Sequence, residues 1–60
     1  MTSQEFAQIR KELGLTQKEL AAIMGCEFQA ISRIERERQP TRLQAAFLRF
    51  IADSRKNAAN

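Results

Sequence analysis

The sequence predicts an all-α fold, a compact bundle of four or five short helices, and three observations carry that expectation. Helix-forming Ala, Leu, Glu, Gln, Lys and Arg dominate a 60-residue chain with only two Gly and one Pro. Apolar residues recur at three- and four-residue spacing rather than in alternation. The breakers Gly14, Gly25 and Pro40 fall between the amphipathic stretches and not inside them. A chain of this length forms one domain with a modest core, so oligomerisation is a natural source of further stability.

Each element follows from local signals. Thr2 and Glu5 make a T-x-x-E capping box, with Ser3 as the other candidate cap, and start a first helix running to about Leu13. Phe6, Ile9 and Leu13 line one of its faces. Gly14 ends it, and Leu15 stands before the next cap as a hydrophobic staple. Thr16 and Glu19 repeat the capping box, which starts a second helix at about Gln17. Gly25 stops that helix, because glycine enters a left-handed C-cap without steric cost. A third amphipathic segment starts almost at once and carries Ile31 and Ile34 inward. Pro40 breaks it, and Thr41 caps a last helix spanning roughly Arg42 to Ser54. The domain is therefore expected over 1–54, with 55–60 a polar, frayed tail.

The stretch TQKELAAIMGCEFQAISRIER, Thr16 to Arg36, is the most informative part of the chain. Two short helices joined so tightly must cross steeply, and a steep pair with a basic second member suits the DNA major groove. Ala21 is small where the two backbones would meet, and Leu20, Ile23 and Met24 precede the turn at helical spacing. The plain alternative is a helical hairpin without a ligand. Cap, small residue, glycine and apolar pair at consistent spacing favour a central helix-turn-helix.

Helical phase then names the DNA-facing side chains. With Ile31 and Ile34 inward, Phe28, Gln29, Ser32, Arg33 and Arg36 point outward or sideways. Gln29 can pair bidentately with adenine and Arg33 with guanine, while Ser32 can reach a base edge or a phosphate. Phe28 either contacts thymine methyls or folds back against Met24 and Ile31. Arg36, Arg38 and Arg42 form a basic run around Pro40 suited to phosphates, with Lys18 and Lys11 as weaker candidates. A net charge of +3 and a pI near 9.8 favour an anionic partner only modestly.

The last helix carries a second signal. Leu43, Ala46, Phe47, Leu48, Phe50 and Ile51 fan over roughly 200°, whereas a helix docked on one core needs a stripe nearer 100°. A self-association face is expected, with Phe47, Leu48, Phe50 and Ile51 as candidates. The alternative is fuller cover by the N-terminal helix.

Other function classes are disfavoured. One Cys makes no internal disulfide, and without His a zinc site is essentially excluded. Cys26 reads as a small, partly buried turn residue. No catalytic residues are expected, since no nucleophile has a His base and the carboxylates are scattered on polar faces. No cofactor is expected either, there being no Gly-rich phosphate loop. The chain lacks a signal segment and any 18-residue apolar run, so a cytoplasmic, nucleoid-associated protein is expected.

IRKELGLTQKELA, the Gly25 turn and the ISRIER run together resemble the Cro/repressor-type helix-turn-helix domains, the lambda-repressor-like or XRE family. These occur in phage repressors, their bacterial relatives and many antitoxins. The likeness covers Ile9 to about Ile51 and implies a four- or five-helix bundle, usually dimeric on DNA, that regulates transcription. It implies that Gln17 binds a phosphate from a helix N-terminus, where the dipole assists. It implies base reading by Phe28, Gln29 and Arg33, and a charge bridge between Arg10 and Glu35; two independent solvated charges are the alternative for that pair. Two departures stand out. Cys26 and Glu27 replace the Ser or Thr that often caps the reading helix, and Arg36 replaces a frequent Gly or Asn, so that helix is expected to run on toward Arg38.

The sequence reading is thus a homodimeric repressor of its own operon, bound to an inverted repeat of double-stranded DNA. Repression is the default because a 60-residue dimer has no spare domain for recruitment or sensing. The ERERQP turn before an apolar helix looks most like antitoxin-type and anti-CRISPR-associated repressors. The competing reading is a protein-interaction module, an antitoxin-like chain whose last helix grips a partner protein.

Overall fold

A computed structural model of the chain describes the backbone of residues 1–58 and the side chains of residues 1–55. Among the described residues there are four helices and no strand: α1 Ser3–Glu12, α2 Gln17–Met24, α3 Phe28–Arg36 and α4 Arg42–Ala58. Three of them start in the same way. The Thr2 and Thr16 hydroxyls accept from the Glu5 and Glu19 amides at 3.0 Å each, and those Glu side chains accept from the threonine amides at 2.9 and 2.8 Å. Thr41 and Gln44 exchange the equivalent pair of bonds at the start of α4. Each box satisfies two backbone donors that a helix start leaves without partners.

The turns between α1, α2 and α3 are set by glycine. Gly14 and Gly25 have φ of +73° and +71°, in the left-handed region that other residues enter only at a cost. Past each one the chain folds back on the helix it leaves: Leu15 N–H donates to the Arg10 carbonyl at 3.2 Å and Cys26 N–H to the Ala21 carbonyl at 3.0 Å.

One core holds the helices together. Phe6, Leu15, Leu20, Ala21, Ile31, Ile34, Leu48 and Ile51 are buried, with Met1, Ile9, Leu13 and Met24 packed around them. Ala21 lies where α2 meets α3, and Phe6, Leu20, Ile31 and Leu48 are fully enclosed. Each such side chain contributes about 1.5–3 kcal/mol by leaving water.

Four expectations need correction. Leu48 and Ile51, assigned to a self-association face, lie inside the chain's own core and present nothing outward. The apolar surplus of α4 is real but faces the other way, on Leu43, Phe47 and Phe50, at 78%, 38% and 68% exposure. Cys26 is exposed rather than partly buried, because the left-handed turn turns its side chain away from the core. α3 stops at Arg36 instead of running to Arg38, since Glu37 is its C-cap and the chain must become extended before Pro40. The last helix passes Ser54 to Ala58, as no breaker follows it; of the tail expected to fray, residues 59–60 lie outside the described residues.

Candidate nucleic-acid interface

The side chains singled out for DNA contact depend on how firmly α3 is held. Its apolar edge is anchored by buried Ile31 and Ile34. Its C-terminal half is tied by Glu35, which takes a bidentate bond from Arg10: Nε donates to Oε2 at 2.7 Å and Nη2 to Oε1 at 3.1 Å. Both side chains are nearly enclosed, at 12% and 8% exposure. Arg10 Nη1 also donates to the Leu15 carbonyl at 2.8 Å, and Gln17 Nε2 donates to Glu35 Oε1 at 3.1 Å. A single guanidinium therefore fastens α1, the loop after it and α3, while Gln17 adds the start of α2. The planar fork of arginine suits this task, since lysine would offer a point charge and no fixed plane.

With α3 so fixed, its outward side forms a shallow concave surface. Phe28, Gln29, Ser32, Arg33 and Arg36 line one groove together with Gln17 and Glu37. Phe28 is exposed and not folded into the core, 40% open at the first turn of α3. Arg38 borders a neighbouring hollow with Arg33, Thr41 and Gln44. Lys18 is exposed on α2. Arg42 stands apart, in a different groove with Met1, Arg49, Phe50 and Asp53.

Charge is distributed to match. The groove carries two arginines and one carboxylate, Glu37. Glu5, Glu19 and Glu35 are used structurally. Hydrogen bonds from Thr2 hold the Glu5 carboxyl below its ordinary range, with smaller help from the N-terminal amine and Arg49. Thr16 does the same for Glu19. Both are thus ionised in their capping role at neutral pH.

Sequence reasoning missed several groups that shape this surface. Gln17, expected at a phosphate, also gives one amide hydrogen to Glu35, a contact that sequence reasoning did not anticipate, and keeps its second amide hydrogen for other partners. Glu37 enters the groove from the C-cap, a position that helical phase does not describe. Ser3 Oγ donates to the Arg38 carbonyl at 3.1 Å across 35 residues, which fixes the end of the basic run; nothing local signals such a contact. α3 has Glu27 at its N-cap with no side-chain bond, so its first turn keeps open amides.

Among the described residues no His, Cys, Asp or Glu group could hold a metal, and no helix is long and apolar enough to cross a membrane. No match was found among curated proteins or solved structures. A family model described as helix-turn-helix matches residues 6–48, which takes in most of α1, the tight α2–α3 pair and the first part of α4. The chain accordingly belongs to the Cro/repressor-type (XRE) helix-turn-helix family of DNA-binding regulators.

Proposed function

We propose that this chain is a homodimeric repressor that controls its own operon by binding an inverted-repeat operator through the major groove. The observation that carries the reading is the grouping of Phe28, Gln29, Ser32, Arg33 and Arg36 on the open side of a helix clamped through Glu35. In this reading Gln29 pairs with an adenine and Arg33 with a guanine, each bidentately. Ser32 takes a base edge or phosphate, and Phe28, already paying its hydration cost in the free protein, covers a thymine methyl. Lys18, Arg36 and Arg38 neutralise phosphates on either side of the groove, and Gln17 donates a hydrogen bond to one. Two copies place their reading helices one helical turn apart, ~34 Å, in successive major grooves on one face of the duplex. Occupying promoter DNA in this way, at the nucleoid, suffices for repression.

The base and phosphate roles separate experimentally. Replacing Arg33 by Ala should cost ~1–3 kcal/mol on the preferred site and relax selection at one base pair. Replacing Arg38 by Ala should weaken all sequences alike and reduce the slope of binding against salt by about one. Binding isotherms on matched and single-substituted duplexes at several salt concentrations give both quantities. Indistinguishable profiles for the two variants would sink the assignment.

A further inference from the structure

One residue of the α3 groove has no part in the base and phosphate assignments. Glu37 lines it beside Gln29, Ser32, Arg33 and Arg36, and it is the groove's one carboxylate. A carboxylate turned toward a phosphate backbone is repelled, so its place in a DNA-binding surface needs a reason. Helix stability supplies none. Glu37 is the C-cap of α3, where the helix dipole disfavours an anion. It also follows Arg33 by four residues, the weaker order for an exposed ion pair on a helix.

What Glu37 has is a fixed relation to Arg33. Its amide donates to the Arg33 carbonyl at 2.7 Å, so the helical turn between the two is kept although Glu37 is only the cap. Arg33 is exposed and lines both the groove and the neighbouring hollow that Arg38 borders. Its guanidinium is unheld, the Arg10–Glu35 pair being the only ion pair among the described residues. Such a side chain must give up its rotamer freedom on meeting a base edge. Guanine O6 and N7 take two of its N–H donors and leave the others for an acceptor.

We propose that Glu37 is the positioning residue of Arg33: when the groove closes on DNA, its carboxylate accepts from a side donor of the guanidinium and holds the fork toward one guanine. The proposal rests on the base-reading role given to Arg33 above. In water the two exposed charges gain little by pairing, which is why they stand apart in the free chain. Under a duplex water leaves the groove, and the same pair strengthens as the local dielectric falls. The groove's other cation, Arg36, directly precedes Glu37, and neighbours in sequence do not face each other on a helix. Glu37 thus lowers affinity on every sequence and raises discrimination at one base pair.

Selection from a random DNA pool by four proteins tests this: the native chain, Arg33→Ala, Glu37→Gln and the double variant. Glu37→Gln removes the charge at nearly unchanged shape from an exposed position, so its melting curve should match the native one. Arg33→Ala identifies the base pair that Arg33 reads. Glu37→Gln should reduce the preference at that same base pair about fivefold. Titration of a random-sequence duplex should show its affinity raised about threefold, a repelling charge being gone. The double variant should lose no more preference than Arg33→Ala alone, since the two side chains act as a unit. Unchanged preference at that base pair in Glu37→Gln, whatever its affinity, would overturn the proposal and leave base reading by Arg33 standing. Relaxation at a different base pair would overturn it too, and make Glu37 a reader itself. If the native chain enriches no motif, or Arg33→Ala relaxes no position, the base-reading role fails and the proposal with it.

Discussion

Arg10 is the residue on which the placement of α3 depends most. Its partner Glu35 is almost fully enclosed, and without the guanidinium that carboxylate would keep only the Gln17 amide. Removing one member of a buried pair leaves an uncompensated charge, which costs about 3 kcal/mol or more. For a domain this small that corresponds to a fall of at least about 12 °C in Tm. Arg10→Met should show it in a thermal scan, and an unchanged Tm would mean that the bridge holds nothing. The pair spans 25 residues and connects two helices, so neither spacing nor phase reveals it; only likeness to a family suggested it. Gln17 as its third member was not legible at all. The outward side chains of α3 were, because Ile31 and Ile34 fix the helix's rotation and leave its neighbours no choice.

At the scale of elements, the helix starts marked by a threonine cap were readable to within a residue, while the uncapped start of α3 was not. A capping box is a contact between positions three apart, so Thr2, Thr16 and Thr41 announce it in the sequence. Helix ends were less legible where no glycine marks them. At Arg36 the chain stops for reasons lying outside the helix: Ser3 holds the Arg38 carbonyl, and Pro40 forbids continuation. Beyond Ser54 polarity suggested fraying, yet polar residues of good helix propensity do not end a helix. The uncapped start of α3 gives a direct check. Glu27→Ser supplies a side-chain acceptor for a first-turn amide and should raise stability by about 1 kcal/mol in chemical denaturation. No gain would mean that the first turn is already satisfied by water.

For the molecule as a whole, periodicity gave the width of the apolar surface on α4 but not its direction. A helix apolar over half its circumference can dock on either half, and the choice is made by Phe6, Ile31 and Ile34 on other helices. Leu48 and Ile51 were taken by the core, which left Leu43, Phe47 and Phe50 as the open side. Burial and shape thus decide between two faces that the sequence presents as one. The outcome is a small body with α3 clamped on one side and an apolar stripe of α4 on another, the two surfaces that the proposed dimeric repressor would use together. Selection of bound fragments from a random DNA pool at ~150 mM salt, where non-specific affinity is suppressed, tests that claim most directly. The account predicts enrichment of a palindrome whose half-site centres lie about 10–10.5 base pairs apart. A pool that returns no enriched motif would contradict it and leave α3 a scaffold rather than a reader.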